Sequence, residues 1–234
     1  MPASWRLGNL WVIERLAVRI LSKGFTTQLS YTWSKNMEAV EMMNLQDPRP
    51  YEVVSGLDRT QRVTASGIWE LPFGKGRHWG GSWNPVLNGI AGGWQLNGAM
   101  QYQSGAPLGF GNVIFNGDLD NVALPRGQRS VNQWFNVNAG FERNNALQLA
   151  QNLRRFPLRF NGIRGPIQAR IDFGLIKNFA ITERWRLQFR AETFNVANYA
   201  NLSNPNTAVT SGAFGTITGQ DPPRSWQGAL KLTF

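Results

Sequence analysis

The 234-residue sequence has no cysteine and a single histidine, His78. The first absence removes disulfide scaffolds and thiolate metal sites. The second leaves any Ser/His/Asp nucleophile and base pair resting on one residue in a Gly- and Trp-rich connection. Charged side chains make up only 16% of the chain, and the Lys and Arg behind its net charge of +10 are scattered, with pairs such as Arg154 and Arg155 rather than blocks. That distribution gives no nucleic-acid-binding tract. No run of about 18 apolar residues exists, so no transmembrane helix is available. Met1-Pro2-Ala3-Ser4-Trp5-Arg6 leads into neither the apolar core nor the small-residue cleavage site of a secretory leader.

What the sequence does contain is aromatic residues, glycine and alternation: 10 Trp, 14 Phe and 25 Gly. Lipid accepts only helices and closed barrels, so a membrane protein of this composition must use strands. Strands that alternate apolar and polar residues average to a hydrophilic mean hydropathy, as the value of -0.32 is. The last ten residues set the pattern. In steps of two, Trp226, Gly228, Leu230, Leu232 and Phe234 form one phase, and Ser225, Gln227, Ala229, Lys231 and Thr233 the other. An apolar phase facing lipid, a polar phase facing a lumen and a closing Phe234 at the membrane interface account for it.

The same period recurs along the chain. A first strand is expected over about 11–21, with Leu16, Val18 and Ile20 apolar, Arg15 and Arg19 polar, and Glu14 interrupting the apolar phase. A turn at Ser22-Lys23-Gly24 leads to Phe25, Thr27, Leu29, Tyr31 and Trp33 alternating with polar residues. A long loop over 36–57 follows, with a short helix expected over 37–45 before Asp47-Pro48-Arg49-Pro50. Further strands are expected over about 59–71, where Ile68 breaks the polar phase, and over 94–103. The stretch 104–166 reads as irregular, with a helix expected within 144–156. Strands resume over about 168–178 and, after a short turn near Glu183, over 185–192. This makes an all-β, antiparallel, up-and-down transmembrane barrel segment of about seven strands, with long outer loops and short periplasmic turns. Seven strands are too few to close unaided, so the barrel is expected to be incomplete and the chain a fragment or truncated product. Exposed edges at the first and last strands then require a partner.

The row Arg186, Gln188, Arg190, Glu192 must face the lumen, because Arg facing lipid at the midplane costs about 2–4 kcal/mol. There it reads first as a mutually paired charged ladder. Aromatics sort to the strand ends: Trp33, Tyr102 and Trp226 at the outer interface, and Trp69, Trp94, Trp185 and Phe234 at the inner one. That placement favours interface anchoring over base stacking. Gly74-Lys75-Gly76 lacks the spacing of a phosphate loop and reads as a turn. Asn116-Gly117-Asp118-Leu119-Asp120-Asn121 lacks the later glutamate of a calcium loop and reads as a solvated turn.

Ser30-Tyr31-Thr32-Trp33-Ser34-Lys35, Gly93-Trp94-Gln95-Leu96-Asn97-Gly98, Gln133-Trp134-Phe135-Asn136 and the run from Ile181 to Asn195 together resemble the C-terminal part of Oar-like TonB-dependent outer-membrane receptors. The resemblance implies a barrel of roughly 22 strands with a plugged lumen, uptake energised through TonB, and a final strand, here Trp226, Leu230, Leu232 and Phe234, recognised by the barrel-assembly machinery. It supplies no catalytic residue and no cofactor. The sequence departs from the family pattern at its front, where no plug domain and no TonB-contacting box are present. The expected partners are therefore outer-membrane lipid, the assembly machinery, a missing N-terminal barrel and plug portion, and TonB, with no nucleic acid. A non-transporting adhesin or structural surface protein is the alternative, and a soluble β-sandwich binding module a third reading.

Overall fold

The computed structural model describes residues 9–22, 24–148, 153–182 and 184–234. In chain order the elements are β1 (Asn9–Ser22), β2 (Phe25–Glu38), β3 (Val53–Val54), β4 (Gln61–Glu70), α1 (Pro85–Ala91), β5 (Trp94–Gln103), β6 (Pro107–Leu108), β7 (Phe160–Arg164), β8 (Gln168–Ala180), β9 (Arg186–Phe194) and β10 (Ser225–Thr233). Seven long strands form one antiparallel meander in the order β1-β2-β4-β5-β8-β9-β10, each beside its predecessor among the long strands. The two-residue β3 extends the outer end of β2, and β6 pairs with β7 in a separate small sheet.

Register carries the alternation across the whole sheet. One line of direct neighbours runs Leu16, Tyr31, Val63, Tyr102, and another runs Phe25, Trp69, Leu96, Leu175, Ala191, Gly228. The opposite phase is polar: Arg19 lies beside Gln28, Gln28 beside Ser66, and Glu192 beside both Gly174 and Gln227. A one-residue slip would exchange the two faces, so a partition this clean across seven strands fixes the register. The β1 ladder slips once, between Val12 and Glu14, beside the residue that interrupts its apolar phase. Ile68 and Ile176 sit on the polar face, the first opposite Thr26 and Asn97, the second opposite Gln95 and Arg190, and Lys177 lies on the apolar face opposite Trp94 and Phe189.

No second layer covers the apolar face among the described residues: Leu230 is 71% and Leu232 50% exposed, and Leu187 is only half-buried. A soluble sandwich would enclose one face of each sheet in a shared core. Here Ile176 is the sole buried hydrophobic residue of the seven long strands among those described. Among the described residues both edges are open, since β1 pairs there only with β2 and β10 only with β9.

Three local expectations change. The helix expected over 37–45 is absent: β2 runs on to Glu38, Met37 and Glu38 pair with Val54 and Val53, and 39–52 is irregular. Met37 also packs against the small cluster of Val53, Val54 and Leu158, a tertiary contact that outweighs helix propensity. The helix expected within 144–156 is a single 3-10 turn over Asn145–Leu147, opened by the Asn144 side chain accepting from the Ala146 amide. Its continuation over 149–152 lies outside the described residues, and Phe156 is drawn away into a buried cluster. The turns expected at Lys23 and Glu183 centre on residues outside the described set. The connection over 71–93, at the same sheet end as those turns, is a folded segment containing α1.

Candidate functional site: the concave wall and the outer loop body

The polar phase lines a concavity of about 540 Å³ reaching from Arg19 on β1 to Glu192 on β9, with Gln28, Ser66, Asn97 and Asp172 between them. The sheet is therefore curled with its polar face inward. A second hollow of about 340 Å³ continues outward past Thr64, Gln101 and Arg170. Asn97 Oδ1 is buried in this wall without a hydrogen-bond partner among the described residues. Its place depends on Gly174, where any Cβ would strike the amide.

The expected charged row lies on this wall but is joined differently. Arg190 Nε donates to Gln188 Oε1 at 2.6 Å, and Gln188 Nε2 donates to Asn178 Oδ1 at 2.8 Å. Arg186 is exposed at the inner end, and Glu192 faces Gln227 of β10. Amides, rather than Arg–Glu pairs, link the row. The ion pair of the wall is one strand away, where Arg170 Nε donates to both oxygens of Asp172 at 2.9 and 3.0 Å. Both side chains remain partly exposed, and such a pair contributes about 0–1 kcal/mol. It defines a polar lining rather than a source of stability. Its sequence signal is the same two-residue spacing of opposite charges that marked the row 186–192.

The expected interface aromatics fall at the two ends of the strands. Trp33 is opposite Gln61, Tyr102 is opposite Val63 and Ala169, and Trp226 is opposite Thr193, all at the outer end. At the inner end Trp69 lies between Phe25 and Leu96, and Trp94 is beside Lys177. There the Trp185 ring also meets that of Phe234, with centroids 5.3 Å apart and the planes tilted by 33°. The terminal residues Leu230 and Leu232 pair with Phe189 and Leu187, extending the apolar face to the last strand. Lys177, a cation in the apolar phase, was not singled out by the sequence pattern. It is 2% exposed, with Nζ over the Trp94 and Phe179 rings and donating to the Gly92 carbonyl.

The main buried core lies beyond the outer strand ends. Phe110, Phe115, Phe135, Phe141 and Phe156 from the β5–β8 connection meet Phe214 and Val209 from the β9–β10 connection. Phe110 alone has its ring within 4.9–5.3 Å of those of Phe135, Phe141 and Phe156. The backbone accounts are closed across the same seams: Trp134 N donates to Gly215 O, Ile217 N to Val131 O, and Trp134 Nε1 to Arg164 O. Gly117 and Gly140, the latter at φ +121°, let two loop backbones touch where any Cβ would collide.

The β2–β4 loop is tied in by polar clasps. Asp58, buried, accepts from the Asn36 amide at 2.6 Å and from Arg164 at 2.6 Å, and Glu38 pairs with Arg159 at 3.0 Å. Asn44 exchanges two hydrogen bonds with the Arg154 backbone. Burial, and then the charge of Arg164, pushes the Arg59 guanidinium below its ordinary pKa, with Asp58 opposing. Asn201 substitutes for a missing strand, pairing both backbone groups of Ala169 above the end of β9. The three outer connections are thus one packed body. In it the candidate calcium segment is a capped turn, since Asp118 accepts from the Asp120 amide and the Asn121 side chain.

A curled antiparallel meander with one apolar outer face, a polar concavity, aromatic strand ends and ordered loops beyond one end is the anatomy of a wall built for a bilayer. Residues 16–227 match the family model described as "Outer membrane beta barrel domain". The chain belongs to that family. No curated protein and no solved structure matches it. The barrel domain is accordingly a bacterial outer-membrane protein, and an apolar phase turned toward lipid is the orientation expected of it. Neighbouring residues of β5 test that orientation. Met100→Arg, on the apolar face, is expected to destabilise the protein by about 2–4 kcal/mol in phospholipid vesicles, and Ala99→Arg, opposite Asp172, by less than about 1 kcal/mol. Urea titration of both variants reads the difference, and equal losses would contradict the assignment of faces.

Proposed function

We propose that this barrel domain forms part of a TonB-dependent receptor of the Oar-like kind, taking up or binding a solute at the cell surface. The observation that carries the reading is the polar concavity running from Arg19 to Glu192 beside a folded outer loop body. One offers a path lined with amides and paired charges, the other a shaped outer surface. The resemblance of the motifs at 30–35, 93–98, 133–136 and 181–195 adds TonB as the energy source. On this reading the domain is the C-terminal portion of a larger barrel. Further strands pair with the open edges of β1 and β10, a plug fills the lumen, and no catalytic step occurs. Trp226, Leu230, Leu232 and Phe234 serve as the assembly signal, and Trp33, Trp69, Trp94, Tyr102 and Trp185 as interface anchors.

Cross-linking in intact, energised cells tests the transport part. The whole protein is expected to yield a TonB adduct that disappears when the proton gradient is collapsed. Absence of the adduct, while an established receptor in the same cells gives one, would rule out energised uptake. The packed loop body specifically favours surface binding without transport as the second reading, since preorganised loops bind at low entropic cost.

A further inference from the structure

The inner-end connection between β4 and β5 is unlike a tight periplasmic turn. It contains the seven-residue helix α1, far too short to be stable alone in water, and α1 is turned inside out. Its one polar side chain faces the protein: Asn88 is half-buried, and its Oδ1 accepts from the Lys75 amide at 2.6 Å. Its apolar residues face away from it, with Val86 72% and Ile90 66% exposed and no residue of the helix buried. A helix facing water shows the reverse arrangement.

Two side chains of the lipid-facing phase hold this helix. Trp94 Nε1 donates to the Ile90 carbonyl at 2.9 Å, and Lys177, sandwiched between Trp94 and Phe179, donates to Gly92. Gly93, at φ +71°, brings the chain so close to Asn178 that a Cβ would meet its carbonyl at 2.7 Å. The C-terminal end of α1 therefore sits over the outer face of β5 and β8, continuous with the aromatic inner end formed by Trp69, Trp94, Phe179 and Trp185. Lys75 and exposed Trp79 lie in the same segment, which has no Asp or Glu between 71 and 93. Tryptophan and lysine beside an outward apolar helix face are what a phospholipid headgroup boundary selects.

We propose that α1, with Trp79, is an interfacial anchor embedded in the phospholipid leaflet at the inner end of the barrel wall. The proposal rests on the reading that the apolar phase faces lipid. Because the chain lacks cysteine, single nitroxide labels can be placed through Val86→Cys and Ile90→Cys on the whole protein. Met100→Cys on the wall and Leu45→Cys, 95% exposed in an outer loop, serve as references. In phosphatidylethanolamine and phosphatidylglycerol vesicles, the labels at 86 and 90 are expected to collide more with oxygen than with a water-soluble nickel complex. They should follow the label at 100 and oppose the one at 45. Nickel-accessible labels at 86 and 90 beside a lipid-like label at 100 would overturn the anchor and leave the wall intact. A nickel-accessible label at 100 would overturn both. Labels at 86 and 90 shielded from both reagents would overturn the lipid anchor in favour of a protein cover.

Discussion

Truncating Phe135 to alanine is expected to destabilise the outer loop body by about 3–5 kcal/mol, the usual cost of removing a fully buried phenylalanine. Phe135 is 0% exposed and has the rings of Phe110 and Phe214 at 5.1 Å, both edge-on. It therefore joins the β5–β8 connection to the β9–β10 connection, and the cavity left by truncation spans that seam. The surrounding backbone can relax little, because Trp134 is fixed to Gly215 by its amide and to Arg164 by its indole. The sheet, whose long strands share almost none of this core, should keep its fold. Protease added outside intact cells should cut within 104–167 and 195–224 many times faster in Phe135→Ala than in the parent. The heat-modifiable migration of the barrel on gels should be unchanged. Loss of both together would mean that wall and loops unfold as one unit.

Arg164→Ala is expected to be comparably severe, at about 3–5 kcal/mol, for an electrostatic reason. The Asp58 side chain is fully buried, and Arg164 meets its Oδ2 at 2.6 Å. Removing the cation leaves a buried carboxylate with, among the described residues, the Asn36 amide as its remaining hydrogen-bond donor and the nearby Arg59 charge without a hydrogen bond to it, and a buried charge that loses its bonded partner costs far more than a broken surface pair. Asp58→Asn in the same background should recover part of the loss, since the amide has no charge to desolvate. Arg77→Ala supplies the contrast: its pair with Glu70 is equally short but nearly half exposed, so a change below about 1 kcal/mol is expected. Urea titration of the three variants in vesicles, monitored by proteolysis of the outer loops, separates these cases. Equal losses for Arg164→Ala and Arg77→Ala would refute the buried-charge account.

Both predictions concern residues that the sequence pattern did not mark. Phe135 stood in a stretch valued only for its resemblance, and Arg164 at the edge of a region read as irregular. By contrast, every long strand was readable, and the spacing of Arg186, Arg190 and Glu192 puts the three on one phase of β9. Period-two alternation is a local property of an extended backbone, visible within one segment. The expected mutual pairing of that row was not readable. Arg190 chose Gln188, and Gln188 chose Asn178 of the adjacent strand, through a register that only the assembled sheet fixes.

The seven membrane strands, their order along the chain and the side of each that meets hydrocarbon follow from the amino-acid sequence, because lipid and water sort alternate side chains residue by residue. The outer body required the tertiary structure. Its clasps join positions as far apart as Asn44 and Arg154 or Asp58 and Arg164, and its phenylalanines have no period to betray their common core. The placing of α1 over Trp94 and Lys177 likewise depends on two strands distant in sequence meeting side by side, a juxtaposition that no local pattern encodes.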